Sequence, residues 1–162
     1  MTVRRDIVRH PGSVVIMPVE DSNLLTRQAK RSKTRKEPRV LLARQYRYTA
    51  NDFLWELPAG RIDEGEEELP AAKRELLEET GYTAEKWKRV LYFYPSPGFL
   101  DETMAIYLAE GLRSGKAQPE EDESIVIRFF SLAQAVNLVM KGKVKDGKTI
   151  ASILWLKEAL NP

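Results

Sequence analysis

The chain has no cysteine. A disulfide framework and thiolate chemistry are therefore excluded. It has one histidine, which leaves little room for a Ser-His-Asp or Cys-His nucleophile. No run approaches the roughly 18 apolar residues of a membrane span. The opening Met-Thr-Val-Arg-Arg-Asp-Ile lacks the apolar core of a signal peptide. A cytoplasmic protein without membrane attachment is the resulting expectation. There is no internal repeat and no low-complexity segment.

What remains suits one soluble domain. The 162 residues are long enough for a real core and are read as a single domain, 1–162. The net charge of +2 is unevenly placed. Residues 27–39 hold seven Lys/Arg and one Glu, a local +6, so the rest of the chain carries −4. The apparent basicity belongs to one stretch, and the body is mildly acidic.

The stretch Gly60 to Tyr82 organises the reading. Gly60 and Gly65 are assigned to a loop with φ > 0 turns. Pro70 suits a first helical turn, Ala71 to Thr80 are mostly good helix formers, and Gly81 ends the helix. Glu75, Glu78 and Glu79 share a face within an arc of roughly 100°. Ala71 and Ala72 fall on the same side and leave room beside the acids. Like charges at this spacing repel, and the last helical turns disfavour anions by roughly 0.3–1 kcal/mol each. A divalent cation reverses both effects, and clustered hard oxygens suit Mg²⁺ or Mn²⁺. A solvated acidic face is the plain alternative.

The rest of the chain reads as short strands with two further helices. Met1–Arg9 is an edge strand or arm, and His10-Pro11-Gly12 a turn. Ser13–Val19 is a buried strand, with Pro18 marking its end or an edge position. Leu24–Arg27 begins the next strand, and residues 28–38 form a basic, exposed hairpin loop. Strands follow at Arg39–Tyr46, Phe53–Leu57, Trp87–Tyr94, Thr103–Leu108 and Ile125–Phe130. Gly111–Glu123 is assigned to a loop. Ser131 caps a helix through Met140, Asp146-Gly147 turns, and Lys148–Leu160 is the last helix. This pattern predicts an α/β fold with a mixed sheet.

Gly60, Glu66, Arg74-Glu75-Leu76, Glu78-Glu79 and Gly81 keep the spacing of a known signature. The stretch resembles the Nudix box, and only Tyr82 departs, where an aliphatic is usual. The resemblance implies a Nudix-type α/β/α sandwich with a loop-helix-loop catalytic motif. It implies hydrolysis of a nucleoside diphosphate linked to another moiety, with Mg²⁺ as cofactor and Mn²⁺ as a substitute. Glu75, Glu79 and Glu78 would ligate the metal, with the carbonyl of Ala59 a further ligand. Glu78 would also belong to the catalytic set. Arg74 would orient a glutamate, and Glu66 would brace the loop or support the ligands.

Outside the box the chain resembles the ADP-ribose pyrophosphatase branch. Ser96-Pro97-Gly98-Phe99-Leu100-Asp101-Glu102 matches its substrate loop. His10-Pro11-Gly12, Arg44-Gln45-Tyr46-Arg47, Leu54 to Gly60, Glu121-Asp122-Glu123 and Lys148-Thr149-Ile150 match too, so the resemblance spans about residues 9 to 150. Carried over, Glu102 would be the general base or a water-orienting acid, placed by the Pro-Gly loop, and Ser96 and Gly98 would bind substrate. Arg47 would contact the diphosphate, Glu123 would approach a metal or the terminal ribose, and Arg9 would reach substrate across a homodimer. The implied reaction converts ADP-ribose to AMP and ribose 5-phosphate. Other nucleoside diphosphate sugars, dinucleotides and capped RNA stay open as substrates. So does a non-catalytic nucleotide- or RNA-binding module, against which the full set of box glutamates counts. The basic loop departs from the branch. It has no aromatic residue to stack on bases, so nucleic acid is not an expected partner.

Overall fold

The computed structural model describes residues 3–22, 24–25, 37–115 and 125–160. Seven strands form one mixed sheet: β1 Ser13–Glu20, β2 Arg39–Arg47, β3 Asp52–Glu56, β4 Ala59–Arg61, β5 Tyr82–Phe93, β6 Met104–Ser114 and β7 Val126–Ser131. Three helices among the described residues complete it: α1 Glu68–Thr80, α2 Leu132–Met140 and α3 Gly147–Leu160. The main sheet order is β3-β2-β1-β6-β5, with β4 paired to β1 and β7 paired to β2.

β1 is the centre, and its sequence explains why. Val14, Val15, Ile16 and Met17 are fully buried, which an apolar run with both faces covered requires. Alternate residues divide between two cores. Val14 and Ile16 pack with Ala71, Ala72 and Leu76 of α1. Val15, Met17 and Val19 pack with Ala135 of α2 and Ile153 and Leu156 of α3. The result is the expected α/β/α arrangement.

Several boundaries differ from the expectations. Pro18 is not at an edge: it lies in the central strand opposite Ala109 of parallel β6. On the other side of β1, β4 covers Ser13 to Val15 and β2 covers Val19 and Glu20, so Pro18 falls between two partners. Its missing N–H therefore interrupts neither ladder there. Leu24 and Leu25 form a turn rather than a strand. Both backbone N–H groups donate to the buried carboxylate of Glu110, at 2.9 and 3.1 Å. β6 runs on through Gly111 to Ser114, and β5 begins at Tyr82 rather than Trp87. Gly147 is already helical. Residues 28–36 of the basic loop lie outside the described residues.

The helix termini follow local chemistry. Ser131 and Gln134 form a reciprocal capping box on α2. Gly81 adopts a left-handed φ of 73° and donates to the carbonyl of Leu77, closing α1. Residues 8–13 run beside the loop before β6. Val8 N–H donates to the Phe99 carbonyl at 2.8 Å, and Asp101 N–H returns to the Val8 carbonyl at 3.1 Å.

Candidate active site

The site is built on α1 and the strand before it. Gly60 does not supply a positive-φ turn; it lies in β4, and Gly65 supplies the positive φ, at 78°. The reason for glycine at 60 is space. A Cβ there would stand 2.0 Å from the carboxylate of Glu75. The backbone of β4 and this carboxylate occupy adjoining positions that no side chain could share. Ala71 and Ala72 do not leave room beside the acids. Both are fully buried against β1 and β6, so their small size brings the helix close to the sheet.

Arg74 is the hub. Its Nε and Nη2 donate to Glu66 at 3.1 and 2.8 Å. Its Nη1 donates to Glu75 at 2.6 Å and to Glu78 at 3.1 Å. Nη2 also meets the carbonyl of Arg61 at 3.1 Å. The bidentate grip on Glu66 is the strongest part of the arrangement. It raises the pKa of Arg74 and holds the Glu66 carboxyl below its ordinary value. Glu66 also accepts from the Asp63 N–H at 3.3 Å, so one carboxylate fastens both the loop and the helix. The Glu75 side chain is 12% exposed and that of Glu78 41%.

A second cluster lies at the end of the β2–β3 hairpin. Arg47 grips Glu56 through Nε and Nη2 at 2.8 and 3.0 Å. Lys148 reaches the Glu56 oxygen that Nη2 uses at 2.5 Å and Asp146 at 2.9 Å. Burial works against the charge of Glu56, but its two cationic partners outweigh this and lower its pKa. The pKa of Arg47 is raised, chiefly by Glu56, with the charge of Glu79 contributing. Arg47 therefore links this cluster electrostatically to the acidic helix.

A third group joins the N-terminal arm to the loop before β6. Glu102 accepts from the Ser13 hydroxyl at 2.6 Å, lies 3.8 Å from His10 Nδ1 and is 14% exposed. Arg9, well exposed, pairs with Asp101 at 2.8 Å. The carbonyl of Ser96 accepts from Leu100 N–H at 3.1 Å, closing the turn that contains Gly98. A backbone bond from Ile62 N–H to the Gly12 carbonyl, 3.1 Å, ties this group to the box loop. Glu123 lies outside the described residues.

Residues 9–153 match the family model described as the NUDIX domain. The chain belongs to the NUDIX domain family. It is 38% identical over 161 residues to an ADP-ribose pyrophosphatase of Bacillus subtilis strain 168, covering 97% of this chain and 79% of that protein. It is 33% identical over 163 residues to a methanol dehydrogenase activator of Bacillus methanolicus, covering 98% and 80%. An ADP-ribose pyrophosphatase of Mycobacterium tuberculosis strain H37Rv is 33% identical over 155 residues, covering 94% and 68%.

The donor set of this Nudix helix fits a hard dication by its chemistry: carboxylates in excess over the one arginine they share, beside a backbone carbonyl-bearing strand. Among the described residues, no three acidic or histidine side chains already stand as a closed cage, and Arg74 engages Glu75 and Glu78. No helix among the described residues is long and apolar enough to cross a membrane. The Glu56–Lys148 cluster has no counterpart in the roles expected from sequence. Its signal was Glu56 itself, a lone acid within the otherwise apolar Phe53 to Leu57 run.

Proposed function

We propose that this Nudix enzyme hydrolyses the diphosphate bond of ADP-ribose, giving AMP and ribose 5-phosphate, with Mg²⁺ as cofactor and Mn²⁺ as a substitute. The observation that carries the reading is the site itself: a single Arg74 shared by Glu66, Glu75 and Glu78, with Gly60 backbone against the Glu75 carboxylate. Support for the substrate comes from relatives that bear the name ADP-ribose pyrophosphatase.

In this proposal Glu75, Glu78, Glu79 and the carbonyl of Ala59 hold the cation. When bound, it offsets charge growing on the phosphate oxygens. Arg74 keeps Glu75 and Glu78 oriented, and Glu66 keeps Arg74 in place. Arg47 contacts the diphosphate, Ser96 and Gly98 bind substrate, and Arg9 reaches it across a homodimer. Glu102, which accepts from the Ser13 hydroxyl and is mostly covered, is the general base or a water-orienting acid, with a box glutamate as the alternative, and Glu123 approaches a metal or the terminal ribose. The chain acts as one cytoplasmic catalytic domain.

A phosphatase-coupled phosphate-release assay tests the reading, with Mg²⁺ against EDTA. The panel holds ADP-ribose, ADP-glucose, GDP-mannose, UDP-glucose, NADH and a capped RNA. Metal-dependent preference for ADP-ribose is expected. Preference for another member overturns the substrate, and no turnover on any member makes a binding module the better reading.

A further inference from the structure

Arg47 is the residue assigned above to the diphosphate, and the inference here rests on that assignment. Its direct cross-strand neighbour is Asp52. Arg47 does not use it; Asp52 is taken by Lys145 at 2.7 Å. The Arg47 side chain instead reaches Glu56, whose cross-strand partner is Ala43.

The grip is side-on, through Nε and Nη2. That geometry turns the Nη1 end of the guanidinium away from Glu56. Lys148 then holds the Glu56 oxygen that Nη2 uses, and Asp146 holds Lys148. Thr149 completes the mounting: its hydroxyl donates to Asp146 at 2.6 Å and accepts from Leu57 N–H at 2.8 Å. The first turn of α3 thus clasps the end of β3 at Glu56 and at Leu57 just beyond it.

The cluster is graded outward. The Glu56 and Lys148 side chains are 6% and 9% exposed, while that of Arg47 is 41% exposed. A tie between β3 and α3 would be complete with Lys148 and Glu56 alone. Replacing a buried ion pair by apolar residues is often neutral or stabilising, so burial of these charges is weakly explained by stability. It is well explained by the need to hold one outward guanidinium in a fixed pose before an anion arrives, which lowers the ordering cost of binding. We propose that Glu56 and Lys148 are positioning residues: a buried pair that fixes Arg47 to receive the substrate's diphosphate.

The test is a mutant cycle on the full chain with ADP-ribose and Mg²⁺, using Lys148→Met, Arg47→Lys and the double variant. Circular dichroism and a thermal melt report folding. Lys148→Met is expected to raise KM on the order of tenfold, the lower end of what orienting partners contribute, with kcat changed less than about threefold. In the Arg47→Lys background the same substitution should add nothing, because its route of action is already removed. Lys148→Arg should restore KM. Glu56→Gln keeps the side-chain shape, repeats the cycle from the other side of the contact and should show the same coupling. A lowered Tm with unchanged KM, or penalties that multiply in the double variant, overturns the assignment. Wild-type enzyme that ignores ADP-ribose overturns the functional reading and this assignment with it. Wild-type turnover with a KM indifferent to Lys148 overturns this assignment alone.

Discussion

Around Arg74, three glutamates converge on one guanidinium; around Glu56, two carboxylates meet two cations. The second cluster balances its own charge and is more deeply buried. The first carries surplus negative charge and places it in the last turns of α1, where the helix dipole adds to the repulsion. A balanced cluster is complete as it stands. An unbalanced one leaves negative charge that an added cation would offset. The contrast separates a mount from a receptor, although both are made of the same residue types.

The largest effect that would sharpen this contrast is expected from Glu79→Gln. Removing one acid from the helix face proposed to hold the cation should reduce kcat about a thousandfold, matching the several kcal/mol of charge stabilisation a metal supplies. The melt should be nearly unchanged. Near-normal turnover would place the cation elsewhere. Gly60→Ala comes next. Its new methyl collides with the Glu75 carboxylate, and overpacking of this kind costs about 1–3 kcal/mol. Activity should fall far more than the melting temperature, as steady-state rates and calorimetry together would show. An alanine variant with wild-type kinetics would mean that Glu75 has slack.

Beneath the balanced cluster, the Thr149 mounting should answer to stability. Thr149→Val removes the hydroxyl that serves both Leu57 and Asp146. A loss of about 1–3 kcal/mol is expected for the unsatisfied groups, read as a lower melting temperature. pH provides a further comparison. The carboxyls of Glu56 and Glu66 lie below their ordinary value of 4.5 in the folded protein. A lowered folded value contributes stability that is full above 4.5 and is lost as pH falls through the folded value. Melts from pH 7 down to 3 should therefore be flat at first and then fall, and Glu56→Gln should make the fall shallower. Equal slopes would remove Glu56 from that account. The smallest effect is expected from deleting residues 30–36 of the basic loop. ADP-ribose turnover should stay within about twofold at moderate salt, where exposed charges are largely screened. A large rise in KM confined to low salt would show that the loop steers substrate.

Much of this was legible from residue order. The box helix, its Gly81 stop and the Ser131 cap announce themselves because each depends on neighbours three or four residues away. The double coverage of β1 shows in its unbroken apolar run. β4 did not show, since Ala59 to Arg61 carries no strand pattern and exists by pairing with a strand more than forty residues earlier. The purpose of Gly60 was hidden for the same reason. A missing Cβ looks like turn freedom until Glu75 is seen beside it. Arg47 and Glu56 share one hairpin, but Lys148 lies 92 residues beyond Glu56, and only the closing of α3 onto the β2–β3 hairpin turns three ordinary charges into one device.

β1 and β6 run parallel, side by side, from Ser13 opposite Met104 to Val19 opposite Glu110. The segments that precede them leave the sheet together. A force applied along the arm at residues 3–12 would therefore load that whole ladder in shear, with every rung sharing the strain, rather than peeling the rungs one by one. The arm leads directly into the central strand of the sheet. Tension on it is delivered to the loop of Ser96 to Glu102 without first loosening an edge.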